Sequence, residues 1–282
     1  TPSDRFALTA DAELGLLKNI GEYQLHSNLV LGLGKAGVLK ASILSQRYPV
    51  PLLADRLYIS KRLFWNNSFE KPVENTLTGS YALPLIGFEA TVRTHLLNNY
   101  IYYDQKSVVA QAGSPLQVAQ ILVSENVRLG KIHFDNTVAL QRFNRSDIIH
   151  LPKWFSKNSL YFSGKIFKKR MLLDLGVDFR INSEFTPDAY QPLNWQFHLQ
   201  DTLTQKPYPW MDAFKVQSFR FFFRYENLQT IWNKSDVFYQ TALHPQPFGA
   251  IRLGISWRFM DSNVEESGSN PEAPTGIGPA RQ

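Results

Sequence analysis

A chain of 282 residues with no cysteine, 13% aromatic residues and only 44% hydrophobic ones is rich in rings without being rich in apolar runs. The missing cysteine excludes a disulfide framework and a thiolate metal site, and no window approaches the roughly 18 uninterrupted apolar residues of a spanning helix. The formal charge of +6, from 30 basic and 24 acidic residues, is spread along the chain, which argues against a nucleic-acid partner with its clustered basic face.

Successive side chains of a strand point to opposite faces, and an apolar/polar alternation with that period recurs from the start. Arg5 to Leu16 sets Leu8, Ala10, Ala12, Leu14 and Leu16 against Thr9, Asp11 and Glu13. Glu22 to Leu33 and Ala36 to Gln46 continue it, the second with Leu39, Ala41 and Ile43 opposite Lys40 and Ser42. An irregular stretch, 47–73, holds three prolines. Glu74 to Leu83 and Phe88 to Leu97 resume the pattern, with Phe88, Ala90 and Val92 opposite Glu89 and Arg93. After a loop at 98–115, Leu116 to Leu129 pairs with Lys131 to Phe143, whose Phe134 and Val138 oppose Asp135 and Thr137.

A third loop, 144–158, leads to Ser159 to Phe167, which turns tightly at Lys168-Lys169-Arg170 into Met171 to Ser183. There Leu173, Leu175, Val177 and Phe179 face away from Asp174, Asp178 and Arg180. Trp195 to Leu203 reads as the next strand. Ala213 to Tyr225 reads as one long strand, with Phe219, Phe221, Phe223 and Tyr225 opposite Arg220 and Arg224. The last strand, Ala250 to Phe259, places Ile251, Leu253, Ile255, Trp257 and Phe259 opposite Arg252, Gly254, Ser256 and Arg258. Beyond it the composition turns to Ser, Asn, Glu, Pro and Gly, so 260–282 is expected to be a disordered tail.

The expected fold is all-β: an antiparallel transmembrane β-barrel over 1–259, of about twelve strands. Short and long links alternate, as they do when an outer-membrane barrel keeps tight turns in the periplasm and long loops outside. Phe219, Phe221, Phe223 and Tyr225 then face outer-membrane lipid. Asp11, Glu13, Lys40, Glu89, Arg93, Asp135, Asp174, Asp178, Arg180, Arg220, Arg224, Arg252 and Arg258 line the lumen, either as a water-filled, mixed-charge passage or as ion pairs that plug it. With an even strand count, the ends would close with Arg252 and Arg258 beside Asp11 and Glu13.

Chemical motifs are absent. Gly32-Leu33-Gly34-Lys35-Ala36-Gly37 lacks the spacing and the following helix of a phosphate loop and sits between two strands, so a hairpin turn is expected. The six histidines show no ligand spacing, and there is no G-x-S-x-G elbow. No catalytic, metal or cofactor site is expected, and no enzyme activity.

A series of stretches carries a family resemblance. It runs through Leu151-Pro152, Leu160-Tyr161-Phe162-Ser163-Gly164, Leu175-Gly176-Val177-Asp178-Phe179-Arg180 and Gln196-Phe197. It continues with Asp212-Ala213-Phe214, Tyr225-Glu226-Asn227-Leu228, Tyr239, His244-Pro245-Gln246-Pro247 and Arg252 to Phe259. In these, Asp147 to Phe259 resembles the putative porin family of Bacteroidetes outer membranes, and the earlier part is similar by pattern alone. The resemblance implies porin-like passive diffusion of small polar solutes or ions. It also implies that Leu253, Ile255, Trp257 and Phe259 form the signal read by the barrel-assembly machinery. Family members are generally longer, which implies the C-terminal part of a larger barrel as an alternative to a complete one. The competing readings are a non-conducting barrel that docks other outer-membrane proteins of a complex, and a soluble β-sandwich.

Overall fold

The structure is a computed structural model that describes residues 5–166, 171–217, 221–233 and 237–255. Twelve strands form one sheet: β1 (Phe6–Leu14), β2 (Tyr23–Gly32), β3 (Val38–Arg47), β4 (Val73–Leu83), β5 (Phe88–Asn98) and β6 (Leu116–Leu129), then β7 (Ile132–Phe143), β8 (Trp154–Ile166), β9 (Met171–Asn182), β10 (Trp210–Gln217), β11 (Phe221–Glu226) and β12 (Ala250–Ile255). Each pairs with the strand before and after it in the chain, and every pairing is antiparallel.

The strand count matches expectation through two errors that cancel. Trp195 to Leu203 is not a strand of the sheet; only Gln196–His198 is extended, in a short hairpin with Ala189–Gln191. Trp195 itself sits at φ +57°, outside the extended region. Conversely, Ala213 to Tyr225 is two strands, β10 and β11, rather than one. Their connection is three residues long and Ala213 faces Tyr225, so odd-numbered positions share one face on both sides of the reversal. Alternation alone cannot see a turn that preserves parity.

With those corrections the links sort cleanly by end. The tight connections at 33–37, 84–87 and 130–131 lie at one end of the sheet, the end at which β8 and β10 finish and β9 and β11 begin. The longer segments 48–72, 99–115, 144–153, 183–209 and 227–249 lie at the other, with 15–22 beside them. The glycine-rich stretch 32–37 is the hairpin between β2 and β3. Gly37 stands at φ +103°, and a Cβ on it would lie 2.2 Å from the Ala82 carbonyl oxygen of β4.

Register divides the sheet into two chemically distinct faces. One apolar row runs Leu31, Leu39, Tyr81, Ala90, Val123, Val138 across six strands. No described element packs on this face: Leu77 is 57% exposed, Leu160 54% and Leu253 64%. A soluble sandwich would bury such a face against a second sheet about 10 Å away. Among the described residues the buried apolar cluster is instead Ala112, Leu116 and Ile148, at the long-loop end.

Among the described residues β1 pairs only with β2 and β12 only with β11, so the sheet has two free edges. The expected seam is not seen among the described residues. Arg252 lies opposite Arg224 rather than Asp11 or Glu13, and its Nε donates to Glu226 at 2.8 Å, a carboxylate on the adjoining strand that is nearer than any on β1. Arg258 lies outside the described residues, as do Phe219, Arg220, Trp257, Phe259, the turn 168–170 and the tail 260–282.

Candidate functional site

The second face is polar along its whole width. Asp11, Glu13, Lys40, Glu89, Arg93, Asp135, Asp174, Asp178, Arg180, Arg224 and Arg252 all fall on it by register. One row runs Glu89, Ser124, Thr137, Lys157, Arg180, Trp210 from β5 to β10. The next carries Asn126, Asp135, Ser159, Asp178 and Asp212. Leu253 and Ile255 stand on the apolar face, opposite Phe223 and Phe221.

The ionic partners on this face differ from a simple match among the expected residues. Asp178 accepts a bond from Ser159 Oγ and Asp135 one from Tyr161 Oη. Arg180 and Arg224 turn to Asp212, which the sequence marks only as part of a stretch that carries the family resemblance. Arg180 Nη2 donates to Asp212 Oδ2 at 2.7 Å and Arg224 Nη2 to the same oxygen at 2.5 Å. Asp212 Oδ1 accepts from Trp210 Nε1 at 2.7 Å and from the Asn227 backbone N–H at 3.0 Å. The carboxylate is fully buried. Charge-assisted donors on both oxygens are the arrangement that makes a buried carboxylate tolerable.

Asp212 reaches this position because β10 starts at Trp210, two residues before it, directly at the long-loop end. Asn227, immediately after β11, adopts a left-handed φ of +58° that turns its N–H onto the carboxylate. Its side chain is held in turn by Tyr208 Oη at 2.9 Å and by its own bond to the Pro247 carbonyl at 2.7 Å.

Above this hub lies an open cavity of about 530 Å3, within the size range of small-molecule sites. It is lined by Phe155, Ser156, Lys157, Arg180, Ile181, Asn182, Tyr208, Trp210, Arg224, Glu226, Phe238, Gln240, Gln246 and Arg252. Phe238 stacks on Tyr208 at 5.3 Å and meets Trp210 edge-on at 5.7 Å, and the Arg180 guanidinium lies 5.7 Å from the Trp210 ring centre. Lys157, Asp212, Glu226, Trp210 and Gln246 were not foreseen as site residues. The stretches at 212–214, 225–228 and 244–247 do carry three of them, but as a resemblance, with no indication that they meet in space.

The long loops do not hang free; they are tied into a collar around the same end. Lys71 Nζ donates to Glu22 at 2.9 Å, and the Glu70 N–H donates to Gln111 at 3.1 Å. The Leu199 N–H donates to the Tyr103 carbonyl at 3.0 Å, His150 meets Asp188 at 2.8 Å, and the Tyr239 N–H donates to Gln205 at 2.7 Å. The Arg145 guanidinium hydrogen-bonded to Asp147 holds that carboxyl below its ordinary pKa, and burial pushes the Tyr100 phenol up.

Gln200 is the tightest knot in the collar. Its Nε2 donates to the Pro187 and Leu203 carbonyls, and its Oε1 accepts from the Thr202 N–H, the Thr202 hydroxyl and the Leu203 N–H. Gln200→Leu strands these backbone groups, at a cost of about 1–3 kcal/mol for a buried unsatisfied group. We expect faster amide exchange at Thr202 and Leu203 with the sheet strands unchanged; unaltered protection at those two amides would contradict the role given to Gln200.

Among the described residues no cluster of His, Asp and Glu could hold a metal ion, and no helix is long and apolar enough to cross a membrane. A comparison with curated proteins finds no match. Among solved structures the chain is similar to the FrpB iron transporter from Neisseria meningitidis, at 10% identity and a TM-score of 0.59 over 84% of this chain and 39% of that one. It is also similar to BauA, the ferric preacinetobactin receptor from Acinetobacter baumannii, at 12% identity and a TM-score of 0.45 over 81% of this chain and 34% of that one. The chain thus spans well under half the length of both. The sequence profile of a family described as putative porin matches residues 1–261, which extends the likeness from the second half of the chain over the first.

Proposed function

The chain belongs to the putative porin family, and from that premise we propose an outer-membrane β-barrel, its wall formed in whole or part by this twelve-stranded sheet, through which small polar solutes and ions pass passively. The observation that carries the reading is the division of one sheet into an uncovered apolar face and a polar face with charges of both signs. Lipid is the solvent that would cover the first face, and water the one that would fill the space along the second. Arg180, Arg224 and Arg252 at the loop end, with Lys40 and Arg93 on earlier strands, give the passage its cations; Asp135, Asp174 and Asp178 give it anions. The exposed Leu253 and Ile255, followed by Trp257 and Phe259, are the strand that the barrel-assembly machinery would bind. The reading assigns no catalytic residue and no cofactor.

The runner-up, a non-conducting barrel that docks other outer-membrane proteins, draws on the collar, whose tied loops would make a stable contact surface. Planar-bilayer recording on the purified, folded protein separates the two. Passive passage predicts discrete, ohmic conductance steps that grow with salt concentration. A folded protein that inserts and passes no current would sink the porin reading and favour docking.

A further inference from the structure

We infer that the loop-end cavity on β8 to β12 binds an anionic monosaccharide, a sugar ring bearing a carboxylate or a phosphate. The inference rests on the porin reading only for how the sugar arrives; the site itself stands on its own geometry.

The charge arrangement calls for an anion. Lys157 lies directly opposite Arg180 across β8 and β9, and Arg224 directly opposite Arg252 across β11 and β12. Like charges facing each other across a ladder are destabilising, and here two such pairs line one cavity. The lining carboxylate Glu226 and the buried Asp212 beneath the cavity oppose these four cations. Asp212 is spent on Arg180, Arg224, Trp210 and Asn227 and has no exposed surface. Glu226 is shared between Arg252, at 2.8 Å, and Arg224, at 3.6 Å. The Lys157 side chain has no hydrogen bond or ion pair among the described residues, and the buried Arg224 Nε makes no hydrogen bond, only an ion-pair contact of 3.6 Å with Glu226. Arg252, 60% exposed, uses only its Nε, so both terminal nitrogens of its planar fork remain for a planar or tetrahedral oxyanion.

The walls ask for more than a bare anion. A cavity of about 530 Å3 is far larger than an inorganic phosphate and suits an organic ligand. The half-buried Trp210 and Phe238 rings, backed by the buried Tyr208, offer an apolar surface on which the C–H face of a sugar ring can lie. Asn182, Gln240 and Gln246 offer amide donors and acceptors for its hydroxyls. A rigid ring that is apolar on its faces, hydroxylated at its edge and charged at one end meets all three kinds of wall.

Isothermal titration of the folded protein in detergent micelles tests this with four probes: glucuronate, glucose 6-phosphate, glucose and inorganic phosphate. We expect at least one charged sugar to bind about tenfold or more tightly than both glucose and phosphate. Which of the two does so identifies the anionic group. The variants Lys157→Gln and Arg252→Gln should each weaken that binding about tenfold, since each removes a charge-assisted contact. Thermal unfolding of Lys157→Gln should occur no lower than in the parent protein, because the lysine has no partner to lose and its repulsion of Arg180 is relieved. Equal binding of glucose or of phosphate, no binding of any probe, or undiminished binding by Lys157→Gln would each overturn the inference. A protein that conducts but binds no charged sugar loses this site and keeps the porin reading; one that binds but does not conduct does the reverse.

Discussion

Replacing Asp212 with Ala is expected to cost about 3–5 kcal/mol, the range for breaking a buried ion pair from one side. The substitution leaves Arg180 and Arg224 without the oxygen they share and strands the Trp210 indole N–H and the Asn227 amide. Much of that penalty belongs to the groups left behind, not to the lost bonds themselves. Asp212→Asn keeps an oxygen in place and removes the charge, so its loss should be smaller. Urea unfolding in micelles, followed by tryptophan fluorescence, would rank parent above Asn above Ala. An Asp212→Ala protein as stable as its parent would mean that the two arginines find other partners and that the hub has no structural weight.

Gly37→Ala should produce the second large loss, about 2–6 kcal/mol, from two additive causes. A non-glycine residue at φ +103° carries backbone strain of about 1–3 kcal/mol. Its Cβ would also press within 2.2 Å of the Ala82 carbonyl oxygen, and overpacking against backbone costs about 1–3 kcal/mol. Gly34, in the same turn, is the internal control. It has φ +64° and nothing within 4 Å of a Cβ, so Gly34→Ala carries strain alone, about 1–2 kcal/mol. Unfolding midpoints of the two variants should therefore differ, with Gly37→Ala the lower. Equal midpoints would show that the contact with β4 yields without cost.

The fold was legible because one signal, period-two alternation, dominates most of the chain, and it is a local signal. Leu39, Ala41 and Ile43 against Lys40 and Ser42 identify both a strand and its faces before any partner is known. The same locality explains the two misread segments. Nothing within Trp195 to Leu203 says that Gln200 will gather the backbone into a knot. The reversal between β10 and β11 leaves odd positions on one face, so Phe221 and Phe223 continue the pattern begun at Ala213. The hub and cavity were out of reach for a related reason. Asp212 is a single charge among apolar neighbours, and it becomes a site only through Arg180 on β9 and Asn227 beyond β11. Contacts across that much chain leave no periodic trace.

All nine residues of β1 are exposed, and along one side of this strand the peptide groups have no strand partner among the described residues. In hydrocarbon no water can stand in for that partner, and each unsatisfied amide or carbonyl costs several kcal/mol. A membrane would therefore tolerate the wall far better than its margins. Whichever strands zip onto those margins, the moment of zipping, rather than the folding of the wall, is what turns a sticky intermediate into a protein at rest in lipid.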